Sequence, residues 1–201
     1  FSRVLFRSRL RLRLKRLRAI RVWQLLVLLL LSALVSATLL RLNSLTMSEL
    51  RKTVVTADQK GDTAAINTAV ATLGAYVTTH MNTDLGDGFY LTESYERARE
   101  AAVQAAADTT NPDSVIYQQA SVQCQSASAR AAYGGYYVPC VLAKVKELGN
   151  ATALVSELQL PRSELYKVDF VSPLWSPDAA GISVAITALI LLVIIGRLTG
   201  A

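Results

Sequence analysis

The chain has 201 residues, 52% of them hydrophobic and only 18% charged, with a formal net charge of +6. That length allows one or two domains. So high an apolar fraction excludes a disordered chain, and 10 Gly, 5 Pro and 2 Cys exclude collagen-like and disulfide-dense scaffolds.

The apolar excess lies in two blocks, not throughout, which argues against an ordinary soluble globule. Ahead of the first block, residues 1–21 carry nine cations, including Arg18 and Arg21, and no acid. The chain opens on Phe1, and Val4-Leu5-Phe6-Arg7-Ser8 is what a common sequencing-adapter read encodes. Residues 1–8 are therefore expected to be an assembly artefact and are set aside, which leaves seven cations. An Arg-rich arm can bind a phosphate backbone. Here Leu10, Leu12, Leu14 and Leu17 interleave with the cations, which suits the surface of an anionic bilayer better; no nucleic acid is expected as a partner.

Residues 22–40 hold 19 positions without a charge and are dominated by Leu. As a helix they run roughly 28 Å, close to the ~30 Å of a hydrocarbon layer. The stretch exceeds the roughly 7–15 apolar residues of a cleavable signal peptide. In the segment 44–60, Met47, Leu50, Val54 and Ala57 recur at three and four residues, the spacing of one helical face. Thr46 with Glu49 forms a capping-box pattern and Gly61 a stop; alternatively this helix simply continues the first span outward.

A second helix is predicted from Asp62-Thr63, with Ile66, Val70, Leu73, Val77 and Met81 on its face, followed by the turn Leu85-Gly86-Asp87-Gly88. A third begins at Thr92 and uses Tyr95, Ala98, Ala102 and Ala105. Asn111-Pro112 opens a fourth, since Pro is tolerated at the first helical position. Its inner face is Tyr117, Ala120, Cys124, Ala127 and Ala131, and Gly134-Gly135 ends it. Pro139 starts a fifth through Val141, Leu142, Val145 and Leu148, stopped by Gly149. Residues 150–178, with Pro161, Pro173 and Pro177 and with Val168 and Phe170 alternating, read as a mostly extended return segment. The second block, residues 179–196, has 18 positions without a charge. A buried core helix is the plain alternative for each block, but core helices rarely run so long without a charged face.

The predicted fold class is all-α: two transmembrane helices flanking a small extracytoplasmic helical bundle, with one disulfide. Residues 1–21 form a basic cytoplasmic tail, 22–40 the first span, 41–149 the helical domain, 150–178 the return segment, 179–196 the second span and 197–201 a short cytoplasmic tail. Orientation follows from charge, because Lys and Arg beside a first span stay on the cytoplasmic side. Residues 42–178 hold ten cations and fifteen acids, a net of −5, and are expected outside a bacterial cytoplasmic membrane, with both termini inside. Trp23 and Trp175 near the outer limits of the blocks, with Arg18 and Arg21, are the expected membrane-interface anchors.

Cys124 and Cys140 are the only cysteines, and an even count in an oxidising compartment favours a bridge over two free thiols. Closing the 15 intervening residues contributes ~3 kcal/mol in the chain-entropy picture. His80 is the only histidine, which excludes two-His zinc sites and haem attachment through Cys-x-x-Cys-His. No Ser elbow lies near it, so a solvated or packed helical His is the ordinary reading. Gly86-Asp87-Gly88 is too short for a phosphate loop and lacks the acidic ladder of a calcium loop. Glu93, Glu96 and Glu100 at helical spacing could hold a cation, though an exposed acidic face explains them as well. Asn150-Ala151-Thr152 matches a glycosylation sequon. No catalytic residue, metal or cofactor is expected. Tyr133, Tyr136 and Tyr137 form the densest aromatic cluster, a candidate interaction surface or else a packed loop beside the bridge.

Three stretches carry a resemblance: Leu40-Arg41-Leu42-Asn43-Ser44-Leu45-Thr46-Met47 with Leu50-Arg51, then Tyr76-Val77-Thr78-Thr79-His80-Met81-Asn82-Thr83, then Asp169-Phe170-Val171-Ser172-Pro173-Leu174-Trp175-Ser176-Pro177-Asp178-Ala179-Ala180-Gly181. With them the chain resembles a group of uncharacterised two-span membrane proteins of Saccharibacteria and related candidate-phylum bacteria. The resemblance implies a bacterial source and the same two-span layout, and brings no established activity. Three functions remain open on the sequence. One is a non-catalytic subunit of a cell-envelope complex, partnered by the lipid bilayer and by other envelope proteins or itself. A sensor-type input domain is the second; it needs a partner or an output domain, since five residues follow the second block. An envelope enzyme is the third, and it lacks a catalytic constellation.

Overall fold

A computed structural model describes residues 21–108, 114–125, 137–148 and 158–199. Among these residues the chain forms α1 (Val22–Lys60), α2 (Thr63–Thr79), β1 (Phe89–Tyr90), α3 (Thr92–Asp108), α4 (Ser114–Cys124), α5 (Tyr137–Leu148), β2 (Lys167–Val168) and α6 (Ala179–Thr199), with a 3-10 turn at Ser163–Tyr166. The helical class expected from the sequence is present, with one addition: β1 and β2 pair antiparallel, Phe89 opposite Val168 and Tyr90 opposite Lys167. The tail at 1–20, and with it Arg18, lies outside the described residues, as do Asn111-Pro112, Ala127, Ala131, Tyr133, Tyr136, Gly134-Gly135 and the sequon at 150–152.

The described residues divide into two compact units, 21–50 with 72–85 and 170–199, and 51–71 with those between 86 and 169. The expected boundary at 41 falls inside α1, and the one at 150 lies outside the described residues. The reason at 41 is local. Between Val22 and Lys60 no Gly or Pro interrupts a run of good helix formers, so the helix continues through Arg41 and makes no fresh start at Thr46. It begins where the Gln24 side chain accepts a hydrogen bond from the Arg21 backbone N–H (3.0 Å), and ends at Gly61, whose φ of +74° suits glycine.

In the first unit, α1 and α6 are long and apolar enough to cross a membrane. Only 11% and 17% of their most apolar stretches are buried, whereas the core helix of a soluble protein is mostly covered. The hydroxyls of Ser36 on α1 and Thr187 on α6 lie 3.0 Å apart, and Ser36 is buried. Helix α2 buries Leu73 and Val77 as its spacing predicts. Met81 falls beyond its end instead of on its face. Asn82 adopts a φ of +61°, and the Thr83 hydroxyl donates to the His80 carbonyl (2.6 Å), so the helix is closed before Met81 can join it.

The second unit has its main core where α3, α4 and α5 pack: Val103 and Ala107 from α3, Tyr117, Ala120 and Cys124 from α4, and Val138, Val141 and Val145 from α5. The predicted faces of α4 and α5 hold at Tyr117, Ala120, Cys124, Val141 and Val145. Helix α3 is rotated from its expected stripe: Ala105 is exposed, while Val103 and Ala107 are buried. Val103 is the largest aliphatic side chain on that helix, and burying it decides the face. Helix α5 starts at Tyr137, two residues before Pro139, which a first turn accommodates because it needs no N–H there; its last residue, Leu148, is exposed.

Candidate functional site

The densest set of side-chain hydrogen bonds in the first unit joins three places far apart in sequence: Asn43 on α1, the turn at 80–83 after α2, and the segment 172–178 before α6. Asp178 is its centre. Its Oδ1 accepts from the Gly181 backbone N–H (2.8 Å) and from the Ser176 hydroxyl (2.8 Å), and its Oδ2 from the Asn43 amide (2.8 Å). The first of these contacts caps the N-terminus of α6, where a carboxylate meets unpaired N–H groups and the positive end of the helix dipole. Burial by itself raises the Asp178 carboxyl. The Gly181 N–H, the Asn43 amide, the Ser176 hydroxyl and the nearby His80 outweigh it and hold the group below the usual carboxylate range.

Backbone groups of the turn are gathered by the same side chains. Met81 N–H donates to Ser176 Oγ (3.0 Å), and Asn43 also donates to the Met81 carbonyl (3.2 Å). Thr83 N–H donates to Ser172 Oγ (3.3 Å), whose own hydroxyl reaches the His80 carbonyl (3.1 Å), and the Asn82 amide donates to the Leu40 carbonyl (3.0 Å). Packing leaves no slack: a Cβ on Gly181 would lie 1.8 Å from the Ser176 carbonyl oxygen, and one on Gly74 would lie 2.8 Å from the Phe170 ring.

His80 sits one residue past α2, half-buried, with its ring stacked on Tyr76 at 4.1 Å. Its Nδ1 lies 3.0 Å from both the Tyr76 carbonyl and the Thr79 hydroxyl. Ser172 meets the backbone of His80 and not its ring, an arrangement for positioning a turn rather than for activating a hydroxyl.

A second node lies in the other unit. Asp58 of α1 is buried at 4% exposure and accepts from the backbone N–H groups of Glu93 (3.0 Å) and Ser94 (2.9 Å), from the Ser94 hydroxyl, and from Arg97 (3.3 Å). It is the N-terminal cap of α3, supplied by a different helix. Glu96 pairs with Arg99 (2.8 Å), so the acidic series Glu93, Glu96, Glu100 is not a bare face. Among the described residues, no three His, Cys, Asp or Glu side chains converge as a metal-binding group.

The predicted site residues fall as follows. Cys124 and Cys140 are bridged, with Cα atoms 5.9 Å apart, between α4 and α5. Tyr137, half-buried, packs against the core beside them, and it is the only member of the tyrosine cluster within the described residues. Trp23 and Trp175 are exposed at 58% and 56%, and Arg21 immediately precedes α1. Sequence reasoning missed Asn43, Ser172, Ser176, Asp178 and Asp58. Asp178 was findable as a capping residue ahead of an apolar run, and Asp58 as a carboxylate on the same helical face as Val54. Asn43 and the serines carried no such signal. The chain matches no family model, no curated protein and no solved structure.

Proposed function

We propose that the protein is a membrane-anchored, extracytoplasmic helical interaction module, a non-catalytic subunit of a bacterial cell-envelope complex. The observation that carries the reading is the outward turn of two long apolar helices. Leu26, Leu30 and Leu34 of α1 and Ile186, Leu189 and Leu192 of α6 all face the surroundings, and lipid is the solvent that suits them. The asymmetry of charge supports an outside location for residues 42–178: seven cations from Arg9 to Arg21 before α1, and a net of −5 over residues 42–178. The Cys124–Cys140 bridge fits an oxidising compartment. The polar cluster around Asp178 is closed on itself, as befits a fixed support and not a reaction centre.

Cross-linking with a membrane-impermeant amine reagent on intact cells, followed by mass spectrometry, tests this. Lys52, Lys60, Lys144, Lys146 and Lys167 are none of them buried. Reproducible links from them to a different envelope protein are expected. Lysines that react only after the cells are broken would overturn the orientation, and links only to the chain itself would overturn the subunit reading. A sensor-type input domain that signals through a partner is the second reading, favoured by the unbroken course of α1 over 39 residues. Links confined to copies of the chain are what it expects.

A further inference from the structure

The segment ahead of α6 turns an apolar edge to its surroundings. Leu174 is 98% exposed, Val171 79% and Trp175 56%, although Ser172 and Ser176 on either side are fixed inward. Ser176 is 1% exposed and holds the Met81 N–H; Ser172 holds the Thr83 N–H and reaches the His80 carbonyl. Pro173 stiffens the stretch between them. The apolar side chains are therefore displayed by a braced backbone.

Trp175 shows at what level they stand. Its indole N–H donates to the carbonyl of Gly181 (3.3 Å), in the first turn of α6. The ring's one polar atom is thereby satisfied, and its apolar body is left facing outward beside the start of a helix whose own exposed residues continue as Ile182, Ile186 and Leu189. Amphipathic rings of this kind favour the headgroup layer.

We propose that the edge formed by Val171, Leu174 and Trp175 docks into the lipid interface, lodging in the headgroup–acyl boundary of the leaflet where α6 begins. The proposal rests on the reading that α6 spans the bilayer, and it adds a second, non-helical contact with the same membrane. Continuity with the exposed face of α6 selects lipid over a protein partner as the occupant.

The test uses the full chain in vesicles of phosphatidylcholine and phosphatidylglycerol at about 3:1, with a nitroxide label on Leu174→Cys or, separately, on Leu189→Cys. The native cysteines are bonded to each other and do not take the label. Collision with oxygen, which concentrates in lipid, is compared with collision with a water-soluble nickel chelate. The Leu174 label is expected to meet oxygen at least about threefold more often than the chelate, at a depth of ~5–10 Å, with the Leu189 label deeper. A Leu174 label in water while Leu189 stays in lipid overturns the edge proposal and leaves the span intact. Shielding of Leu174 from both reagents means protein covers it, which also overturns the proposal. A Leu189 label in water removes the span itself, and the edge proposal with it.

Discussion

The two units solve the same problem with different means. In the first, α1 and α6 present their large side chains outward, so little apolar burial is left to fix one segment against another. Asn43, Ser172, Ser176 and Asp178 do that fixing through hydrogen bonds to a turn and a helix end. In the second, α3, α4 and α5 do have a shared core, but it is built mostly from Val and Ala, and a covalent bridge supplements it. Small residues allow close helix approach at the cost of buried area, so cross-linking Cys124 to Cys140 restores stability that a Leu-rich core would supply by itself. Whether the large apolar side chains turn inward or outward decides which kind of tie a helix pair needs.

The contrast is open to direct attack. The largest effect is expected from Gly181→Ala, because the added methyl must displace the Ser176 backbone: a loss of at least about 3 kcal/mol, read as unfolding of the purified chain in detergent micelles titrated with dodecyl sulfate. Opening the bridge by the double substitution Cys124→Ser and Cys140→Ser comes next, at about 3 kcal/mol. In hydrogen exchange it should deprotect α4 and α5 and leave the amides of Met81 and Thr83 unchanged; equal loss at both places would abolish the distinction between the units. Asp178→Ala removes three hydrogen bonds, one of them the cap of α6, for about 1–3 kcal/mol, and should deprotect Met81 and Gly181 first.

The same carboxylate gives the first unit a pH dependence. Its pKa is lowered in the folded state, so its contribution is fully present above the ordinary carboxylate value near ~4 and is lost as pH falls through the lower folded value. Acid titration of wild type against Asp178→Asn should show that loss in wild type alone. The smallest change is expected from Ser36→Ala, about 0.6 kcal/mol, the usual scale of a hydrogen bond between apolar helices.

Much of the second unit was legible because its core residues recur at helical spacing within single helices: Tyr117, Ala120 and Cys124, or Val141 and Val145. The stop at Gly61 and the cap at Asp62, which receives the Ala65 N–H at 3.0 Å, were readable for the same local reason. The polar cluster was not. Asn43 and Asp178 are 135 residues apart, and an isolated Asn after an apolar block carries no periodic signal. Capping by Asp58 from another helix was hidden likewise, since a cap is ordinarily sought just ahead of the helix it closes. On α3 an alanine-rich surface offers several nearly equivalent faces, and only Val103 breaks the tie.

One feature of the apolar helices bears on how such a chain is made. Ser32, Thr38, Ser183 and Thr199 each return their hydroxyl to a carbonyl three or four residues back in their own helix, at 2.8–3.0 Å. A hydroxyl satisfied in this way brings no unmet demand for water into the hydrocarbon. On the proposed reading that α1 and α6 span a bilayer, Ser32, Thr38 and Ser183 make the two helices more oily than their letters suggest, and exchange of these residues for Ala is expected to change insertion little.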